Sequence, residues 1–131
     1  MIVVDASAIV AILLREPEAH AFRELMLAAD EVRLSPVGYW EAATRLRGLR
    51  GAAGLVELDE VINGLAIRIA PATTATARLA CEAETIWGKR TAARLNMGDC
   101  FAYALAKELG APLLYKGEDF SRTDIQAAFT A

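Results

Sequence analysis

The sequence contains little histidine and cysteine, which excludes several kinds of site. His20 is the only histidine among 131 residues, so a histidine-based catalytic triad or zinc site has almost no residues to use. Cys81 and Cys100 form no CxxC pair, and each lies within a helical pattern. We expect both to be buried free thiols, which favours a reducing compartment.

Long apolar runs and glycine-rich phosphate loops are also absent. No apolar run approaches the roughly 18 residues that a membrane-spanning helix requires, and the chain opens on a strand without a basic leader or a cleavage site. Neither GxxxxGK[ST] nor GxGxxG occurs, so nucleoside triphosphate and dinucleotide sites lack their usual phosphate cradle. We therefore expect a soluble, cytoplasmic protein with no membrane partner.

The composition predicts one folded domain over residues 1–131. At 55% hydrophobic residues the chain can bury a sizeable core, and it is too apolar to be disordered. A net charge of −3 does not favour nucleic-acid binding through an overall positive field. The cations are mostly arginine, which suits bidentate contact with phosphate, and they group within residues 45–50 and 89–94. Solvated helix faces are the alternative explanation for these groups.

Short apolar strands alternate with helical patterns along the chain. Strands are predicted at about 1–4, 32–34, 67–70 and 112–115, and helices at about 7–14, 17–29, 36–50, 55–65, 73–90 and 96–109. This alternation is typical of a parallel sheet that is covered on both faces. We predict an α/β protein, a single-domain α/β/α sandwich with a short, mainly parallel central sheet.

Acidic residues stand at the ends of two predicted strands and near the starts of two predicted helices. Asp5 ends the first strand, and Glu118 and Asp119 follow the last one. Glu41 and Asp99 lie in early turns of helices. Each acid alone has a structural explanation, such as helix capping or a turn. Together they occupy positions that converge on one edge of a parallel sheet, which predicts a shared site.

Converging carboxylates repel one another, and this limits the chemistry of such a site. Two unit charges about 4 Å apart cost on the order of 4 kcal/mol at an effective dielectric constant of about 20. The cluster must therefore take up protons or hold a cation. Oxygen ligands without histidine or cysteine favour Mg²⁺ or Mn²⁺. A hydrated divalent ion beside spare carboxylates suits the attack of water on a phosphodiester bond.

At these residues the sequence resembles the VapC toxins of bacterial VapBC toxin–antitoxin systems, which are PIN-domain ribonucleases. The likeness covers nearly the whole chain. The segments that carry it are the opening IVVDASAIVAILLREPEA, the stretch from Ser35 to Ala42, and LNMGDCFAYALAKELGAPLLYKGEDFSRTDI. The resemblance implies a PIN-like fold with a Rossmann-like sheet, Mg²⁺-dependent cleavage of RNA, a homodimer, and inhibition by a cognate VapB-like antitoxin.

The resemblance also assigns roles to individual residues. It implies that the catalytic residues are Asp5, Glu41, Asp99 and Asp119, of which Asp5 and Asp99 are the principal metal ligands. It implies a supporting role for Ser7, the small polar residue that follows Asp5 by two positions. The fourth acid is open between two neighbours, because Asp119 matches the family pattern best and Glu118 also lies within reach.

RNA and an antitoxin are the partners that this interpretation requires. We predict that Arg90 and Arg94 contact RNA phosphates. We expect the apolar helices near Ala8–Leu14 and Val37–Leu49 to receive the hydrophobic residues of the antitoxin. One alternative is a catalytically inactive PIN-like module that binds RNA or a protein. A metal-dependent phosphatase is a weaker alternative, because the chain lacks the DxDxT motif.

Overall fold

Residues 1–130 are described by a computed structural model of the chain. The strands are β1 (Ile2–Val4), β2 (Val32–Leu34), β3 (Ile67–Ile69) and β4 (Leu113–Leu114). The helices are α1 (Ala6–Leu13), α2 (Ala19–Ala28), α3 (Pro36–Arg50), α4 (Ala52–Gly64), α5 (Thr74–Trp87) and α6 (Met97–Leu109). Within residues 1–130, no helix combines the length and the apolar character needed to cross a bilayer.

All four strands are parallel, in the order β3-β2-β1-β4, which confirms the predicted α/β class. Val3 of β1 lies between Arg33 of β2 and Leu113 of β4. The chain builds the sheet outward from β1 in both directions, so the topological switch point lies between β1 and β4. Ligands bind at the carboxyl ends of strands at such a point. Asp5 follows β1 there, and its backbone N–H donates to the Leu114 carbonyl at 2.8 Å.

Two apolar cores lie on opposite faces of the sheet. One packs α1, α2, α3 and α4 against Val4 and Leu114, and the other packs α5 and α6 against Val3 and Leu113. Helix α1 belongs wholly to the first core, since every side chain from Ala8 to Leu13 is buried. Burial of these apolar side chains is the main favourable contribution to folding.

The connection between α5 and α6 departs from the predicted boundary. The sequence pattern extended α5 to about Arg90, whereas the helix ends at Trp87. Gly88 has an extended backbone and forms a single parallel bridge with Leu95. Residues 88–95 therefore form a short loop closed by backbone pairing, and this loop leads directly into α6.

The two cysteines differ in burial, so half of the expectation for them is wrong. Cys100 is buried, as predicted, and Cys81 is exposed. Helix α5 packs through Ala80 and Ala83. Cys81 is next to Ala80 in the sequence but lies beside this packing contact and not within it.

Candidate functional site

Asp5 ends β1 and caps α1. The backbone N–H of Ser7 donates to Asp5 Oδ2 at 3.0 Å, and the Asp5 side chain satisfies the first turn of the helix. Only 6% of the residue is exposed. Burial raises the pKa of Asp5, and the hydrogen bonds from Ser7 oppose that shift. A carboxylate in this setting carries its charge at a cost unless a cation lies nearby.

Asp99 lies in the first turn of α6, in a reciprocal capping box with Asn96. The Asn96 backbone N–H donates to Asp99 Oδ2 at 3.0 Å, and the Asp99 backbone N–H donates to Asn96 Oδ1 at 2.9 Å. Asp99 is 7% exposed, and burial raises its pKa to about 6. Its second oxygen, Oδ1, accepts no hydrogen bond from residues 1–130. Asp99 therefore caps a helix with one oxygen and can bind a ligand with the other.

Glu41 reaches the same place from α3, and Gly98 leaves the room for it. Ser35 caps α3 through its hydroxyl and fixes where the helix begins. A methyl group at position 98 would overlap the carboxyl carbon and both oxygens of Glu41. The Glu41 carboxylate therefore lies against the first turn of α6. Burial, and then the charges of Asp5 and Asp99, raise the pKa of Glu41 to about 7.

Gly98 is the site residue that the sequence reasoning missed. It lies within α6 at a buried position, and its φ angle is not positive. Glycine within a helix costs about 1 kcal/mol relative to alanine, and here no turn requires it. A buried helical glycine next to a candidate ligand is a signal for close approach of another group. The sequence shows the glycine beside Asp99, but it does not show that position 98 is buried or that Glu41 is the group that approaches it.

The two acids that follow β4 differ in their relation to the others. Asp119 is exposed, and its charge contributes to the raised pKa of Asp5 and of Asp99. Glu118 is also exposed, and its charge contributes to the raised pKa of Tyr115. The electrostatics thus place Asp119 nearer to the buried acids. We use the name acid cluster for Asp5, Glu41, Asp99 and Asp119.

Ser7 links the loop after β4 to the start of α1. Its hydroxyl oxygen accepts the backbone N–H of Lys116 at 3.0 Å. The Lys116 ammonium pairs with Glu16 and, at 3.2 Å, with Glu18, both in the segment between α1 and α2. These contacts fasten the loop that carries Asp119 to the neighbouring elements. The supporting role of Ser7 in the site stays a prediction.

The cationic side chains lie outside the acid cluster. No Lys or Arg within residues 1–130 forms an ion pair with Asp5, Glu41 or Asp99. Arg90 and Arg94, the predicted RNA contacts, are exposed on the loop between α5 and α6 and pair with no carboxylate of the described residues. Within residues 1–130 the buried acids thus lack a cationic partner, and Arg90 and Arg94 are free to contact an anion.

The donor chemistry of the cluster fits a hard divalent cation. The buried donors are carboxylate oxygens, and Mg²⁺ typically binds through one or two carboxylates while it keeps several waters. Asp5 and Asp99 are the most buried of the four acids. Within residues 1–130, no three His, Cys, Asp or Glu side chains form a group that could hold a metal ion by themselves.

The raised pKa values predict that the metal-free protein loses stability as pH rises. A carboxyl group with a higher pKa in the folded state stabilises the fold fully below its unfolded pKa, and this contribution is lost as pH rises through the folded pKa. For Glu41 the folded pKa is about 7. Since solvent screens this half-buried group, we expect its ionisation to lower the free energy of unfolding by about 1–3 kcal/mol from about pH 4.5 to 7.5.

Urea unfolding of wild type and Glu41→Gln in chelator, at several pH values, measures this contribution. The carboxamide that replaces the Glu41 carboxylate does not titrate. As pH rises, the free energy of unfolding of the variant should therefore increase relative to that of wild type. Parallel pH profiles for the two proteins would contradict the prediction.

Gly98→Ala is expected to displace the Glu41 carboxylate and to lower the free energy of unfolding by about 1–3 kcal/mol. Gly48→Ala is the matched control. Gly48 is an exposed helical glycine with nothing within 4 Å of an added methyl group, and its replacement should be neutral or stabilising by up to about 1 kcal/mol. In a Glu41→Ala background the cost of Gly98→Ala should disappear. An unchanged cost there would show that Glu41 is not the group displaced.

Comparison with known sequences bears on the family of this chain. The family model described as PIN domain matches residues 2–126. The chain is 44% identical to VapC ribonuclease Mb0640 of Mycobacterium bovis over 125 residues, which cover 94% of this chain and 95% of that protein. It is 42% identical to Ribonuclease VapC of Mycolicibacterium smegmatis over 127 residues, which cover 95% and 98% of the two chains.

Solved structures share the fold at low sequence identity. Mycobacterium tuberculosis VapC20, described as a Sarcin-Ricin loop cleaving toxin, has a TM-score of 0.76 and 18% identity, with 95% of this chain and 96% of that chain covered. VapBC2 from Rickettsia felis, bound to a DNA fragment from their promoter, has a TM-score of 0.76 and 15% identity, with 97% and 96% covered. With nearly its whole length matched in sequence and in fold, this chain belongs to the PIN domain family and, within it, to the VapC type.

Proposed function

We propose that this chain is the toxin of a type II toxin–antitoxin system, a Mg²⁺-dependent endoribonuclease that hydrolyses RNA phosphodiester bonds at the acid cluster. The observation that carries the proposal is the burial of Asp5 and Asp99 beside the half-buried Glu41, with no cationic side chain paired to them in residues 1–130. The 44% identity to a protein named VapC ribonuclease supports RNA as the substrate.

The position of each of the four acids indicates its proposed role. Asp5 and Asp99 would hold the Mg²⁺, or Mn²⁺, through the oxygens that their helix caps leave available. The ion, when bound, supplies a Lewis acid that activates water and neutralises charge on the scissile phosphate. The missing side chain at Gly98 lets the Glu41 carboxylate lie against α6. From there it orients the water by accepting hydrogen bonds. Asp119, on the exposed loop, is the fourth acid at the outer side.

Substrate binding has to overcome repulsion between the acids and the RNA backbone. Helices α1 and α6 both begin at the acid cluster. The partial positive charge at their N-termini offsets part of this repulsion. Arg90 and Arg94 are the proposed phosphate contacts, because they are exposed and precede α6 directly. The attraction for RNA phosphate thus comes from these local positive groups and does not depend on the net charge of the chain.

A binding module without catalysis is the alternative function. Such a module has no use for carboxylates that are buried beside one another, because apolar side chains would fill the same space without repulsion. Asp5, Glu41 and Asp99 are therefore better explained by a ligand that needs their charge. A phosphatase that uses Asp5 as nucleophile would need a second acid at position 7, which is Ser7.

Asp99→Asn is expected to reduce Mg²⁺-dependent RNA cleavage at least about tenfold while the protein still folds. The carboxamide oxygen can still accept the Asn96 N–H, so the cap of α6 persists. Millimolar Mg²⁺ should raise the melting temperature of wild type and leave that of the variant nearly unchanged. End-mapping of the cleaved RNA and thermal melts with and without Mg²⁺ measure both effects. Glu118→Gln is the matched control and should cleave like wild type. Cleavage by Asp99→Asn at the wild-type rate would refute the site.

An antitoxin is the proposed protein partner, and the similarity to VapBC2 of Rickettsia felis supports it. A guanidinium matches the fork of a carboxylate, so an antitoxin arginine can occupy the acid cluster in place of a cation. The expected apolar surface near Ala8–Leu14 is wrong for α1, because Ala8–Leu13 is buried in the core. Within the expected segment Val37–Leu49, Trp40 is 60% exposed, and Met97 at the start of α6 is 63% exposed. We propose that the antitoxin covers these two side chains, which lie next to Glu41 and Gly98 in sequence.

Replacing the inserted antitoxin arginine by alanine is expected to abolish inhibition of the nuclease while the complex still forms. The remaining apolar contacts would hold the antitoxin, and the vacated acids would regain their cation. Binding is measured by calorimetry and inhibition by RNA cleavage in the same buffer. Full inhibition by the alanine variant would indicate that the antitoxin acts by steric cover alone.

Two expectations about the assembled protein stay predictions. The family resemblance implies a homodimer, which sedimentation of the purified chain would test. The cytoplasmic location expected from the absence of apolar runs and of a leader also stays a prediction, in keeping with a substrate that is cellular RNA.

A further inference from the structure

A groove of about 420 Å³ lies between α5 and α6, and its walls are mostly apolar. Cys81 lies on the α5 side, Leu95 in the connecting loop, and Met97 and Phe101 on the α6 side. Ligand pockets are commonly a few hundred Å³ in volume, with apolar walls and a small number of polar groups. The size and lining of this groove suit a small planar group.

The groove also contains charged groups that indicate the kind of ligand. Lys89 and Arg90 line it, and neither pairs with a carboxylate of residues 1–130. Glu84 on α5 lines it as well and supplies a hydrogen-bond acceptor. Apolar walls, two unpaired cations and one acceptor match a nucleotide, which joins a flat base with N–H donors to an anionic phosphate.

Asn96 connects the groove to the acid cluster. It lines the groove, and its Oδ1 accepts the backbone N–H of Asp99 at 2.9 Å while its own N–H donates to the Asp99 carboxylate at 3.0 Å. A ligand in the groove would therefore lie next to a residue that touches the proposed metal ligand. Adjacent nucleotides of one RNA strand can occupy the groove and the cluster together.

We propose that this groove binds one unpaired nucleobase of the RNA, beside the phosphate on which the acid cluster acts. The proposal rests on the proposed nuclease function. The base stacks on Phe101 and Met97, its N–H edge donates to Glu84, and its phosphate contacts Lys89 or Arg90. The base has to be unpaired, because only an unpaired base is free to turn outward into the groove.

A protein segment is a less suitable occupant than a base. A second copy of this chain, placed symmetrically on the groove, would bring its own Lys89 and Arg90 toward the same cations. Such an arrangement juxtaposes like charges. An RNA strand supplies the negative charge that the two cations lack.

Cys81 can report whether the groove is occupied, because its thiol is exposed in the groove whereas Cys100 is buried. The experiment measures the rate at which N-ethylmaleimide alkylates Cys81 in chelator, so that RNA binds without metal-dependent cleavage. The two probes are a single-stranded RNA of about 12 nucleotides and an abasic oligomer of equal length. Binding of each probe is followed by fluorescence anisotropy.

We expect RNA at about ten times its Kd to slow the alkylation of Cys81 about tenfold, by mass action, and the bound abasic oligomer to slow it little. Equal protection by the abasic oligomer would overturn the proposal, as would no protection by bound RNA. Alkylation that slows as the protein concentration rises, without RNA, would identify a second copy of the chain as the occupant. Alkylation that slows only when the antitoxin is added would identify the antitoxin. Either result would also overturn the proposal.

Ala77→Phe provides an independent test, because a phenyl ring at this position would fill the groove. Ala75→Phe is the matched control, since Ala75 is also exposed on α5 but does not line the groove. Ala77→Phe should raise the Kd for single-stranded RNA about tenfold, and Ala75→Phe should leave it unchanged. Equal Kd values for the two variants would contradict the proposal.

These measurements separate this proposal from the proposed nuclease function. Both are made in chelator and need no cleavage. Protection of Cys81 in a protein that fails to cleave RNA with Mg²⁺ would leave the groove assigned and refute the nuclease. Cleavage without protection would refute the groove alone.

Discussion

Repulsion among Asp5, Glu41 and Asp99 has to be balanced within the fold, because all three carboxylates are partly or fully buried and none is paired to a cationic side chain in residues 1–130. Part of the balance comes from the backbone. Asp5 caps α1 and Asp99 caps α6, so each carboxylate accepts an N–H at the positive end of a helix. The raised pKa values of all three show that this compensation is incomplete. The remaining imbalance is what we propose a bound cation offsets.

The acids come from both cores of the molecule. Glu41 extends from α3, whose buried residues belong to the first core, and Asp99 from α6, which belongs to the second. The two meet where the Glu41 carboxylate lies on Gly98. The acid cluster therefore lies where the two cores adjoin, and its geometry depends on how α3 and α6 pack against each other. A methyl group at the contact would alter that docking without touching either core.

Much of this arrangement could be predicted from the sequence. The alternation of short apolar strands and helices indicated a parallel sheet, and in such a sheet residues that end strands, such as Asp5, share one edge. The cap formed by Asn96 and Asp99 was visible in their spacing. The apolar run from Ala8 to Leu13 indicated a buried helix, and its side chains are buried. Periodicity shows which side chains share a face but not which neighbour covers that face, and for this reason the exposure of Cys81 was missed. The contact at position 98 is between distant segments, which spacing along one helix cannot show.

The pairing of β1 with β4 brings together two segments that are far apart in the sequence. The Ser7 hydroxyl accepts the N–H of Lys116 across a separation of 109 residues. Contacts between such distant segments form late, since closing a long loop costs entropy before any contact compensates for it. Because the N-terminal part of a chain emerges first during synthesis, Asp5 and Glu41 are made before Asp99 and β4. A ribosome that has not yet added Asp99 and β4 therefore holds an incomplete acid cluster, and the proposed hydrolysis would begin only after both have been made.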